Sequence, residues 1–127
     1  MRYKTITTIA AILSAINAAF FLLAPALSLS ILGRTTNMTG MMNTRIAGAV
    51  ALGLSMMTWL ARDFTIPEIQ RVVAIGNLTA FGILVFVDLH GILTGAINGQ
   101  GWSIFLADSF LAVGFLLFLI SSPSHIK

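Results

Sequence analysis

Cysteine is absent from this chain. Disulfide staples, thiol redox chemistry and thiolate metal sites are excluded with it, and so are the disulfide-exchanging four-helix quinone enzymes. Charge is almost as scarce: 9% of the 127 residues are Asp, Glu, Lys or Arg, four of them acidic and seven basic. So few charges cannot clothe a water-soluble surface, and with 57% hydrophobic residues and a mean hydropathy of +0.98 a soluble fold of this length could not cover its apolar area. The formal net charge of +3 does not point to nucleic acid, because the basic residues stand singly and mostly near helix ends, where they act as orientation signals. Also missing are a Ser/His/Asp triad, a glycine-rich phosphate loop and a paired-His metal motif. Enzyme activity therefore has little direct support, and no cofactor is expected.

What the chain does have is four apolar runs, each long enough to cross a bilayer, joined by short connections. The first runs from about residue 5 to 24, follows Arg2 and Lys4 and stops at Pro25, which cannot continue a hydrogen-bonded helix. The same features fit a cleavable signal peptide, but the run is long for that role and a retained helix is the better reading. Residues 26–40 form the longest connection; its part from Leu27 to Leu32 is apolar enough to lie in the membrane interface. The second span, about 41–60, ends with Trp59 at an interface and Arg62-Asp63 just outside. Thr65-Ile66-Pro67-Glu68 is a helix start, since Pro early in a helix loses only an N–H that would be unpaired anyway, and Glu68 meets the positive helix end. The third span covers about 67–94. Glycines at 95, 99 and 101 separate it from the fourth, about 102–120.

These spans predict an all-α, integral membrane four-helix up-down bundle, one domain over residues 1–127, with membrane lipids around it. Arg2, Lys4, Arg62, Arg71 and Lys127 fall on the side of the termini and Arg34 on the other, so both termini are expected in the cytoplasm and the protein in the cell (inner) membrane. Small residues at four-residue spacing, Ala11, Ala15 and Ala19, then Ala47, Ala51 and Ser55, predict close packing of the first two spans. A homo-oligomer or a membrane-protein partner is expected to use whatever small-residue surface the bundle leaves.

Each span carries a strongly polar residue at a similar depth: Asn17, Arg45, Asp88 and Asp108. At about 1.5 Å per residue, Arg45 lies ~6 Å inside its span and the other three ~9–10 Å from the outer ends of theirs. Such residues normally face a bundle interior or a wet cavity, and an ion pair of Arg45 with one or both aspartates is the simplest expectation. Two carboxylates and one guanidinium do not balance. Either Arg45 bridges both in a network that locks three helices, or one aspartate is a proton site. Asn77, eleven residues before Asp88, returns to nearly the same helix face, with Phe81 and Leu84 between, and could line a path toward the cytoplasm. His90 lies about 200° around the helix from Asp88 and is a secondary candidate. Met38, Met41 and Met42 have thioether spacing suited to Cu(I), but lack a nearby Cys or closely spaced His, so no metal site is assigned.

At Asn43-Thr44-Arg45-Ile46-Ala47-Gly48, with Asp88 and Asp108 on the later spans, the chain resembles small four-helix bacterial and archaeal membrane proteins of unknown function. In size it is loosely similar to the DoxX-like and ergosterol-scaffold groups. The quinone-linked role proposed for some DoxX-like proteins does not transfer, for want of a redox or quinone signature. Small multidrug transporters have a membrane-embedded glutamate in their first helix where this chain has only Ser14 and Asn17, and the glycine-arginine signature of fluoride channels is missing. Two functional expectations follow: a bundle that binds a membrane partner or a lipid-like or small ligand through the outer polar cluster, or a proton-coupled carrier or channel for a small solute.

Overall fold

The computed structural model describes residues 2–122. It contains five helices, α1 (Tyr3–Leu23), α2 (Pro25–Ile31), α3 (Met38–Ala61), α4 (Pro67–Leu93) and α5 (Gly101–Ser121), and no strand among the described residues. Four of them, α1, α3, α4 and α5, are long and apolar enough to cross a membrane. Their ends lie within three residues of the expected spans. The largest difference is the start of α3, three residues early, because the Asn37 side chain caps it: the Gly40 N–H donates to Asn37 Oδ1 at 2.7 Å. The connection after α1 is not irregular at its start. Pro25 ends α1 and then occupies the first turn of α2, where its fixed φ and missing N–H cost nothing, and Ala24 (φ −135°, ψ 57°) makes the kink between the two.

Contacts at the two ends establish the up-down order. At one end the Tyr3 hydroxyl donates to the Ala61 carbonyl at 3.1 Å, the Tyr3 and Phe118 rings meet at 5.3 Å, and Lys4 Nζ lies 2.6 Å from the Asp63 carboxylate. The start of α1 and the ends of α3 and α5 therefore share this end, called the terminal end below. At the distal end Asn98, in the α4–α5 connection, staples the α2–α3 connection: its N–H donates to Leu32 O at 3.0 Å and its Nδ2 to Ile31 O at 2.9 Å. Gly33, at φ 68°, lies against the Asn98 side chain in a backbone conformation that suits glycine. Lys127, counted among the basic residues of the terminal side, lies outside the described residues.

Buried positions recur every seven residues: Ala11 and Ala18 on α1, Gly48 and Ser55 on α3, Ala74, Phe81 and Asp88 on α4, and Gly101, Asp108 and Phe115 on α5. A seven-residue repeat keeps one seam of each helix facing its neighbour in a left-handed bundle. α1 and α3 approach closely along such seams. Ser55 Oγ donates to the Ala11 carbonyl at 2.7 Å, and a Cβ on Gly48 would stand only 2.8 Å from Phe21 Cβ. The expected four-residue stripes are thus corrected: Ala19 and Ala47 are exposed, and the contact runs through Ala11, Ala18, Gly48 and Ser55. On the other hairpin the Phe81 and Phe115 rings stack, 6.3 Å apart and 5° from parallel, within a core of Ile6, Ala10, Ala74 and Leu111.

Candidate functional site

Seven residues toward the distal end from the stacked phenylalanines, on both α4 and α5, the same seam positions hold Asp88 and Asp108. The antiparallel register that puts ring on ring therefore sets Asp88 beside Asp108 on the facing helix. Both side chains are buried, at 8% and 7% exposure. Among the described residues no Lys, Arg or His lies within 4 Å of either, and Asp88 Oδ2 is buried with no hydrogen-bond partner.

Asp108 also lines a cavity of about 210 Å³ between α1 and α5, floored by Phe81 and Leu111 and edged by Ser14, Asn17 and Ser103. Asn17, exposed at this opening, is thus brought to the same site as Asp108. Counted from the distal helix ends, Asp88 lies ~8 Å in, Asn17 ~9 Å and Asp108 and Arg45 ~10 Å.

Arg45 shares this distance but not the site. It is exposed on α3 and, among the described residues, makes no ion pair with either aspartate, so the expected Arg45 clamp is not formed. The reason is tertiary. α3 packs its Gly48–Ser55 seam onto α1 and touches α4 through Thr58 and Asn77 toward the terminal end, leaving Arg45 on an outer flank from which a long side chain can reach toward the interface. Asn77 is on the expected face of α4, yet it belongs to a different layer. It is buried, donates to Thr58 Oγ1 at 3.1 Å and to Val73 O at 2.9 Å, and lies on the terminal side of Phe81. Leu84, expected on the same stripe, is exposed. His90 is exposed and turned away from Asp88, as helical phase predicts. Met38 and Met42 are exposed and Met41 half-buried on the first turns of α3; among the described residues no three His, Cys, Asp or Glu side chains gather as a metal site.

Sequence reasoning missed Ser14 and Ser103 as cavity walls, Thr58 as the partner of Asn77, and the Phe81–Phe115 stack that closes the site on its terminal side. The seven-residue repeat was the available signal: Asp108 stands midway between Gly101 and Phe115, and Asp88 seven residues beyond Phe81. Comparison with protein-family profiles, with curated proteins and with solved structures finds no match to this chain. The likeness to DoxX-like and ergosterol-scaffold proteins therefore brings no residue roles to the site, and the chemistry must be argued from the geometry.

Proposed function

We propose that this is a multi-pass protein of the cell (inner) membrane, termini in the cytoplasm, that binds a small polar ligand in the distal cavity through the Asp88–Asp108 pair. The observation that carries this reading is a buried carboxyl pair with no cation within 4 Å among the described residues, opening through Asp108 on a cavity edged by Asn17, Ser14 and Ser103. An uncompensated acid inside an apolar bundle is costly unless a proton or a ligand satisfies it. The chemistry complementary to it is a cationic or hydrogen-bond-donating group, such as an amine or a polyol. Ser14, Asn17 and Ser103 would orient that group, and the cavity volume limits it to a few heavy atoms. Arg45, on an outer flank, is free to meet lipid phosphate and does not enter this reading.

A second reading, proton-coupled passage of that ligand, rests on a specific arrangement. Two polar layers, Asp88 with Asp108 and Asn77 with Thr58, are separated by the stacked Phe81 and Phe115 rings. A shift of that stack would transfer access from one end to the other while the carboxyl pair gains or loses its proton.

The test of binding is a thermal-unfolding screen of the purified protein against short amines, polyols and their carboxylate counterparts. An amine or polyol that raises the melting temperature of the wild type by several degrees and has no effect on Asp108→Asn supports the site. Equal responses from both proteins, or no response from any compound, would sink it.

A further inference from the structure

A second cavity, larger than the one beside the aspartates, opens elsewhere in the described residues. About 680 Å³ in volume, it lies at the distal end, between α2, the first turns of α3 and the α4–α5 connection. Its walls are held in place: Asn98 fastens the α4–α5 connection to Ile31 and Leu32, and Asn37 caps α3 at its edge. The lining is mixed in chemistry: Phe21, Leu29 and Ala47 are apolar, and Arg34, Thr39 and Asn43 are charged or polar. No acidic residue lines it, and among the described residues no carboxylate lies within 4 Å of Arg34. Arg34 is also the one basic residue in the distal connections, since the other distal cation, Arg45, sits within α3 and outside this lining.

A guanidinium without an acidic partner, beside amide and hydroxyl side chains, matches the oxygens of a phosphate, to which Arg can donate two parallel hydrogen bonds. A free phosphate would leave most of so large a cavity unfilled and its apolar lining uncovered. The cavity also sits at the ends of helices long and apolar enough to cross a membrane, where in a bilayer headgroup would give way to acyl chain. We propose that this cleft holds one phospholipid molecule, its phosphate on Arg34 and the first part of an acyl chain against Phe21, Leu29 and Ala47. The site is separate from the aspartate cavity and independent of the function proposed for it.

The test is native mass spectrometry of the full chain in detergent, titrated with phosphatidylglycerol and phosphatidylcholine. The wild type should retain one phospholipid per chain through detergent exchange. Arg34→Gln should weaken retention at least tenfold, Arg34→Lys less, because the charge stays and the fork is lost. Ala47→Phe, which narrows the cavity and leaves Arg34 in place, should also weaken it. Millimolar inorganic phosphate should not displace the lipid. Undiminished retention by Arg34→Gln would overturn the proposal. Displacement by inorganic phosphate, or an unaltered Ala47→Phe complex, would overturn its lipid part by showing a bare anion site. Should Arg34→Gln fail to fold, the order of wild type, Arg34→Lys and Ala47→Phe still decides the matter.

Discussion

Thr58 and Asn77 show how a single buried polar pair acts when lipid, not water, is the alternative. The amide of Asn77 has its Nδ2 divided between Thr58 Oγ1 and the Val73 carbonyl, and its Oδ1 faces the Thr58 hydroxyl at 3.2 Å. Replacing Thr58 by Val preserves shape and removes that partner, so unfolding in mixed micelles should register a loss of about 1 kcal/mol. Asp63 shows the opposite case, at the surface. The Lys4 ammonium, 2.6 Å away, hydrogen-bonds the carboxylate and, with the nearby Arg62 charge, holds it below the usual carboxylate range against the opposing effect of desolvation. A carboxyl depressed in the folded state stabilises above its ordinary pKa and loses that contribution as pH falls through the depressed value. Because Asp63 is fully exposed, the effect should be slight and screened. Asp63→Asn should leave melting unchanged at high salt and lower it marginally at low salt near neutral pH, and that small gap should close in acid.

At the scale of the helix, glycines separate contact from exposure. Gly48 lets α3 meet α1 so closely that a Cβ would fall 2.8 Å from Phe21 Cβ and 3.2 Å from the Ala18 carbonyl, whereas Gly53 has nothing within 4 Å. Gly48→Ala should therefore force the α1–α3 hairpin apart at a cost of about 1–3 kcal/mol, and Gly53→Ala, with only a helix interior to satisfy, should be neutral or slightly stabilising. Equal effects from the two would mean that α3 packs through another face. The residue spacing had pointed to Ala47 and Ala51 because four-residue steps look alike on any helix. The contact itself follows the seven-residue seam, which emerges only when two helices wind around each other.

Considered whole, the molecule is two antiparallel hairpins, α1 with α3 and α4 with α5, that meet in a shared core around Phe81 and Phe115 and carry the carboxyl pair on the distal side of it. A protonated-carboxyl infrared band in the wild type that moves or disappears in Asp88→Asn or Asp108→Asn would mark the pair as a proton site. In sealed vesicles with a pH dye, carrier activity would appear as ligand-driven proton movement in the wild type and not in Asp108→Asn. An intact band without any flux would leave the binding reading standing and end the transport one. Replacing Asp88 by Leu should lower the melting temperature more than replacing it by Asn, since Asp108 would then face an apolar side chain on α4 in place of a polar one.

Sequence alone determined the class, the number of long helices, their ends to within a few residues, and the similar distances of Asn17, Arg45, Asp88 and Asp108 from the distal helix ends. These depend on apolar length, proline, and rise per residue, which are local quantities. It could not show which of those residues meet. Arg45 and the aspartates lie at similar distances from those ends, and opposite charge made their pairing the simplest expectation, yet pairing depends on how each helix is turned about its axis and on which neighbour it packs against. Gly48 and Ser55 turn α3 onto α1, and the register of Phe81 with Phe115 sets Asp88 against Asp108. Both cavities likewise arise where non-neighbouring segments converge, α1 with α5 for one and α2 with the α4–α5 connection for the other. Helix rotation and convergence are decided by packing between elements, so only the tertiary structure could place the carboxyl pair and leave Arg45 outside it.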